Sequence, residues 1–254
     1  MTEAALRTEE LTVRFGAEAA VDGVSCAFYP GTLTAIVGPN GAGKTTFFNL
    51  ISGQIRASSG EVWFRGKRIT GLSVAARTRR GLGRGFQLTN LFPALSVFEN
   101  IRLAVQAEAR RDFRLLSLAS DHHDLNARAQ ALLDHVGLAA RARTVASALS
   151  HGDQRKLEVA LLLALRPEVF MFDEPTAGMS VDEVPVVLDL VAAIKRDRTK
   201  TILLVEHKMD VIRALADRVI VLHQGRLLAD GAPADVVALP LVREAYLGQS
   251  SGHG

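Results

Sequence analysis

Gly38-Pro39-Asn40-Gly41-Ala42-Gly43-Lys44-Thr45 constrains this chain more than any other stretch. It fits the template Gly-x-x-x-x-Gly-Lys-[Ser/Thr] of loops that cradle phosphates. The flanks suit that reading. Thr32–Val37 is a short apolar, β-favouring run, and Thr46–Ser52 contains no Gly or Pro, so the loop leaves a strand and enters a helix. Glycines let backbone N–H groups converge on phosphate oxygens without Cβ clashes, and a helix N-terminus adds unpaired N–H groups with partial positive charge. Lys44 can reach the β/γ-phosphates, and the Thr45 hydroxyl can ligate Mg²⁺. The candidate phosphate-binding set is therefore Gly38, Pro39, Asn40, Gly41, Ala42, Gly43, Lys44, Thr45 and Thr46.

The 254 residues suffice for a full core. With 48% hydrophobic and 22% charged residues the composition is globular, and a net charge of +3 gives no electrostatic case for nucleic acid. The single cysteine, Cys26, excludes an intrachain disulfide, fits a reducing compartment and lies in an apolar-alternating run, which predicts a buried thiol. The first ten residues are polar and acidic, so no secretory leader is expected. The most apolar segment, Val159–Leu165, falls far short of the roughly 20 residues of a membrane helix.

In chain order, Leu11, Val13 and Phe15 alternate with polar residues and predict a strand; Val24–Phe28 predicts another. Phe15 reads either as a core residue or as an aromatic placed to stack on a base. A strand over Glu61–Phe64, a hairpin turn at Arg65-Gly66-Lys67 and a short helix over Ser73–Arg80 follow. Arg77, Arg79 and Arg80 of that helix read as a solvated face or a docking patch. Leu82–Phe86 predicts a strand ending at Gln87. Ser96 caps a helix to about Arg110, and a second helix spans about Asp124–Val136 with Gly137 as its stop. His122-His123 has no further ligand beside it and is not read as a metal site. From 167 onward strands alternate with helices: Val169–Asp173, Val181–Lys195, Thr201–Val205, Met209–Ala216, Val219–His223 and Leu227–Ala229, then short helices at about 233–238 and 241–247. The pattern is α/β, a core with a mainly parallel sheet whose ligands bind at the carboxyl ends of the strands. A nucleotide-binding core of 1–89 and 151–254 carries an inserted helical subdomain of 90–150, with a helical tail from about 233.

Phe170-Met171-Phe172-Asp173-Glu174 is the second strong signal. A strand ending in Asp places a carboxylate for Mg²⁺, and the adjacent Glu174 can polarise water as a general base. With these residues and Leu149-Ser150-His151-Gly152-Asp153-Gln154, which is similar to the signature Leu-Ser-Gly-Gly-Gln, the chain resembles the ATP-binding subunits of ABC transporters from about residue 9 to 248. That resemblance implies a P-loop NTPase core, an N-terminal antiparallel β subdomain, ATP and Mg²⁺ as ligands, and a head-to-tail dimer. In that dimer Ser150 and Gly152 complete the site held by the partner's phosphate loop. It further implies Phe15 as the adenine-stacking aromatic, Gln87 as the loop residue sensing Mg²⁺ and the membrane partner, Asp173 as a metal ligand, Glu174 as catalytic base and His207 as the γ-phosphate switch.

Some residues depart from the family pattern. His151 and Asp153 stand where the signature has Gly and Gln, and Asp153 is expected to turn away as the N-cap of a helix over 153–165. In Ala177-Gly178-Met179-Ser180, Ser180 occupies a position that is often Asp, and Asp182 is a candidate substitute. The long segment from Asn100 to Gly137, Ala177-Gly178-Met179, Glu206-His207-Lys208-Met209-Asp210 and Ala245-Tyr246-Leu247-Gly248 resemble the ATPase subunits of branched-chain amino-acid importers; urea and amide importers have similar ones. The implied partners are membrane permeases, a second ATPase subunit and, indirectly, a solute-binding protein, at the cytoplasmic face of the membrane. A switch GTPase is disfavoured because Asp173-Glu174-Pro175-Thr176 lacks the required Gly. A soluble ABC protein of translation or repair is disfavoured by the single ATP-binding half and the lack of sustained heptads.

Overall fold

The structure, a computed structural model, describes residues 3–85, 91–109, 123–179 and 184–247. The strands are β1 (Leu6–Phe15), β2 (Glu18–Phe28), β3 (Leu33–Val37), β4 (Ser59–Phe64), β5 (Lys67–Arg68), β6 (Leu82–Gly85), β7 (Val169–Asp173), β8 (Thr201–Val205), β9 (Arg218–His223) and β10 (Arg226–Gly231). The helices are α1 (Lys44–Ser52), α2 (Val74–Thr78), α3 (Val97–Glu108), α4 (His123–His135), α5 (His151–Ala164), α6 (Val184–Arg196), α7 (Met209–Leu215), α8 (Pro233–Ala238) and α9 (Pro240–Leu247). A four-stranded antiparallel sheet has the order β2-β1-β4-β5, and a six-stranded sheet the order β10-β9-β3-β8-β7-β6. The expected α/β class with an antiparallel N-terminal sheet is what the chain forms. No helix among the described residues is long and apolar enough to cross a membrane.

Contacts divide the chain into two units. One comprises Met1–Leu82, Glu168–Glu174 and Ala192–Gly254; the other comprises Gly83–Pro167 and Pro175–Val191. In the first unit, β3 and β8 are buried at every residue and β7 at all but its last. They read as continuous apolar runs because parallel strands are covered on both faces. Residues alternate between the faces. Ile36, Leu203, Ile220 and Leu222 join Phe47, Phe48, Leu50 and Ile51 of α1 and Leu6, Val13 and Phe28 of the antiparallel sheet in one core cluster. Ala35, Val37, Val219 and Val221 face the other way, toward Ile212, Val236 and Val242. Cys26 is buried in the first cluster, and burial pushes its thiol up to about 12.

Local signals set the turns and caps. Phe64 pairs with Lys67 across Arg65-Gly66, both with positive φ (50° and 68°), the backbone of a two-residue hairpin turn. In the second unit Ser96 opens α3 with a capping box: its hydroxyl accepts from the Glu99 N–H, and the Glu99 carboxylate accepts from the Ser96 N–H. Asn100, buried, accepts from the Phe92 N–H and donates to the Phe92 and Ser96 carbonyls, fixing the segment before α3.

Of the three arginines read together, Arg79 and Arg80 are exposed, and Arg77 alone corrects the sequence expectation. Arg77 is neither a solvated face nor a docking patch; it is 3% exposed. Its guanidinium donates to the carbonyls of Leu50 (2.8 Å), Ile51 (2.5 Å), Thr70 (2.7 Å) and Leu72 (3.1 Å). Two of these belong to the last turn of α1, where carbonyls lack intrahelical donors and the helix dipole is negative. A cation in a polar run is read as solvated because composition does not reveal four converging carbonyls. Burial lowers the Arg77 pKa to about 10, so it stays charged at neutral pH. Gly53, the C-cap of α1, sits at φ 85°, and a Cβ there would lie 2.8 Å from the Arg77 Nε.

Removing this buried donor leaves the Ile51, Thr70 and Leu72 carbonyls without it, while Leu50 keeps the Gly53 N–H; the loss costs about 2–4 kcal/mol. Arg77→Met is therefore expected to lower the unfolding free energy by that amount, read as a lower urea midpoint at an unchanged m-value. Gly53→Ala should cost about 1–3 kcal/mol through its left-handed backbone and the displaced guanidinium. Chemical denaturation followed by circular dichroism tests both; a wild-type midpoint for Arg77→Met would refute the assignment.

Candidate functional site

The site grows out of the carboxyl ends of four parallel strands. Ile36 of β3 pairs with Val205 of β8, Val37 with Val221 of β9, and Asp173 of β7 with Val205, so these strands finish side by side. The loop after β3 carries Gly38–Gly43 into α1. Gly43 is the N-cap of α1; no side chain caps the helix and no acidic residue lies in its first turn. The first N–H groups therefore face outward without intrahelical acceptors, as an anion site requires.

Three backbone segments hold the loop. The Gly225 N–H, in the turn between β9 and β10, donates to the Ala42 carbonyl (3.1 Å), and the Gly225 carbonyl accepts from the Asp22 N–H (2.8 Å). A Cβ on Gly43 would lie 2.4 Å from the Ala20 carbonyl oxygen, and one on Gly225 would lie 2.9 Å from the same atom. Both glycines have positive φ, so only glycine permits this approach. Arg226 reinforces it by donating from Nε (3.0 Å) and Nη2 (2.7 Å) to Asp22 Oδ2. Nothing in the local sequence of β9–β10 marks the turn as part of the site. Its only signal is the Gly225 that also makes an ordinary hairpin.

Between these segments lies a cavity of about 400 Å³ lined by Glu18, Ala19, Ala20, the residues Asn40–Thr46, Glu174, His207, Gln224 and Gly225. Lys44 is 6% exposed, and its ammonium donates to the carbonyls of Gly38 (2.7 Å) and Pro39 (2.8 Å). Burial lowers its pKa, while the Glu174 and Asp173 carboxylates oppose that shift. Glu174 leaves β7 with φ 48°, held by its N–H to the Val205 carbonyl (2.9 Å). Its Oε1 lies 2.8 Å from His207 Nε2 on the loop after β8. A phosphate-sized space, an uncapped helix start and a buried cation bonded only to neutral carbonyls fit a triphosphate. The Asp173 carboxylate and the Thr45 hydroxyl of α1 are oxygen donors of the kind Mg²⁺ takes.

The structure thus brings the sequence-predicted Lys44, Thr45, Thr46, Glu174 and His207 around one cavity. Phe15 is not a core residue: at the tip of the β1–β2 hairpin it is 57% exposed and pairs in register with Glu18, which lines the cavity. Gln87, Ser180 and Asp182 lie outside the described residues. Ser150 and Gly152 belong to the other unit. There the expected N-cap is corrected: α5 begins at His151, Ser150 is the N-cap, and its hydroxyl accepts from the Asp153 N–H (3.2 Å). Asp153 lies one turn inside, where its carboxylate pairs with Lys156 (2.8 Å). A hydroxyl with an extended backbone before the first turn outcompetes a carboxylate already in helical conformation.

The family model described as ABC transporter matches residues 21–177. That span holds the phosphate loop, Ser150, Gly152, Asp173 and Glu174. The chain belongs to this family as one of its ATPase subunits. It is 34% identical to the high-affinity branched-chain amino acid transport ATP-binding protein LivG of Escherichia coli strain K12, over 98% of this chain and all of that protein. The corresponding protein BraF of Pseudomonas aeruginosa is 33% identical over 98% of this chain and all of BraF. The methionine import ATP-binding protein MetN of Rhizobium johnstonii is 36% identical over 94% of this chain but 64% of its own length. The crystal structure of MJ1267, an ATP-binding cassette of an ABC transporter in its ADP conformation, superposes with a TM-score of 0.83 at 29% identity, covering 97% of this chain and 100% of MJ1267.

Gly225→Ala pushes a Cβ into the Ala20 carbonyl and loosens the turn that braces Ala42. It is expected to weaken ATP binding at least about tenfold, a loss within the 1–3 kcal/mol of a strained backbone position. Titration with a fluorescent ATP analogue measures this; unchanged affinity would show that the turn does not brace the loop.

Proposed function

We propose that this chain is the ATP-hydrolysing subunit of an importer of branched-chain amino acids, working at the cytoplasmic face of the membrane against permease subunits. The observation that carries the solute class is the full-length likeness to LivG and BraF. The cavity argues only for the nucleotide, because no part of it is shaped for a transported solute. The MetN likeness keeps other amino-acid solutes as the second reading.

The chain's own residues would act as follows. The α1 N–H groups and Lys44 bind the β- and γ-phosphates; on binding, the ammonium exchanges its Gly38 and Pro39 carbonyls for anionic oxygens. Thr45, Asp173 and Gln87 would hold Mg²⁺, which supplies charge neutralisation at the phosphate oxygens. Phe15, exposed at its hairpin tip, offers a ring face to the adenine. Glu174 takes a proton from the attacking water; His207, bonded to that carboxylate through Nε2, orients it, and its N–H would turn to the γ-phosphate once nucleotide is bound. Most of the rate comes from positioning and charge stabilisation. Ser150, with Gly152 beside it at the start of α5, would complete the site of a second subunit, so each nucleotide is held between two chains.

Glu174→Gln keeps the side-chain shape and removes the base. It is expected to bind ATP with near-wild-type affinity and to turn over at least about 100-fold more slowly, within the range for general-base removal. Phosphate release beside nucleotide binding checks this, and near-normal turnover would exclude the role. A second expectation concerns assembly: specific ATPase activity should fall as the protein is diluted, because half of each site comes from a partner. A rate per chain that stays constant on dilution to nanomolar concentration would contradict it. Leucine uptake by proteoliposomes in which this chain is reconstituted with branched-chain amino-acid permease subunits tests the solute class, and ATP turnover without uptake would count against it.

A further inference from the structure

A second cavity lies in the same unit, on the face of the six-stranded sheet away from α1. Ala35, Val37, Val219 and Val221 pack there beneath α7, α8 and α9 through Ile212, Val236 and Val242. These residues leave a space of about 250 Å³ whose walls are almost wholly apolar. It exceeds the roughly 150 Å³ at which an apolar cavity already accepts a benzene-sized guest. Met209, partly buried in the wall, is an adaptable side chain suited to lining a variable guest.

Two cations border this apolar space. Arg213 of α7 and Arg243 of α9 both line it, and both side chains are exposed. Arg243 is steadied over it by its Nε donating to the Val237 carbonyl (3.3 Å). Among the described residues neither guanidinium forms an ion pair; Asp217, two residues before the strand position Val219, is instead engaged by Lys195 at 2.8 Å. Apolar walls exclude sugars and nucleotides, whose polar groups would be buried unpaired. The paired positive charges disfavour amines. An anionic head on an apolar tail matches both features, with the head left at the wet rim where its desolvation is small.

We propose that this cavity is a second ligand site that takes an aliphatic monocarboxylate of about six carbons. The tail lies against Met209 and Val237, over the buried Ile212 and Val236, and the carboxylate pairs with Arg213 and Arg243. The site goes beyond the ATPase reading and does not depend on it, but its placement couples the two. Val37 is the last residue before the phosphate loop, and Met209 opens α7 two residues after His207. Filling the cavity therefore bears on the backbone that carries both Lys44 and His207, and makes the site a place where a small cytosolic acid can bias ATP turnover.

The test uses the full chain without nucleotide, labelled at methionine, isoleucine, valine and alanine methyl groups, so that Ala20 and Ala42 report on the phosphate-loop cavity, and titrated with hexanoate, hexan-1-ol and hexylamine. Hexanoate is expected to shift the Met209, Ile212 and Val236 methyl signals saturably, with a Kd of about 1 mM or tighter. Hexylamine should bind at least about tenfold more weakly. The double variant Arg213→Gln/Arg243→Gln changes only exposed side chains. It should bind hexan-1-ol as before and lose the preference for hexanoate. No saturable shift at about 20 mM hexanoate, a concentration that almost fills a site of millimolar affinity, would overturn the proposal. So would equal hexanoate binding by the double variant, or shifts confined to residues of the phosphate-loop cavity.

Discussion

The site depends on a single packing constraint: three stretches of backbone meet with no side chain between them. The phosphate loop, Ala20 of β2 and the Gln224-Gly225 turn approach so closely that a methyl group on Gly43 or Gly225 would overlap a carbonyl oxygen. Hydrogen bonds from Gly225 to Ala42 and from Asp22 to Gly225 then fix the spacing. Loop shape is thus imposed by the surrounding sheet before any anion arrives, and little ordering entropy remains to be lost on binding.

Helix α1 carries that order through the core. Its start is open, lacking a side-chain cap, while its end is closed by Gly53 and the buried guanidinium of Arg77. The helix dipole is therefore completed by protein at its negative end and left for a ligand at its positive end. Phe47, Phe48, Leu50 and Ile51 lock the helix between the two sheets of its unit, so a shift at one end is transmitted to the other.

Much of this was legible in the sequence. The runs Val169–Asp173 and Thr201–Val205 are strands as read, because fully buried parallel strands are unbroken apolar runs. The helix after the loop and the cap at Ser96 follow from local chemistry alone. The phosphate loop is specific by itself, Glu174 gains weight only beside that loop, and His207 is singled out only by the family resemblance. What escaped depends on which groups meet in space, something residue types alone do not report. Arg77 has its acceptors in two other stretches of chain, Asp153 lost its expected place to a neighbour three residues earlier, and the Gly225 turn looks like any hairpin until Ala42 is seen against it. Phe15 alternates with core residues yet projects past the edge of the core, a length effect that periodicity does not report.

The backbone at Glu174 has a consequence for how this protein can change. A glutamate in the left-handed region sits about 1 kcal/mol or more above what glycine would cost there. The chain tolerates this because the neighbouring strand and His207 hold the residue in place. With Glu174 as the proposed base, thermal robustness and turnover pull position 174 in opposite directions. On that proposal, laboratory evolution that rewards only heat tolerance would drift toward glycine or asparagine at this position, yielding a sturdier protein that grips nucleotide and no longer consumes it.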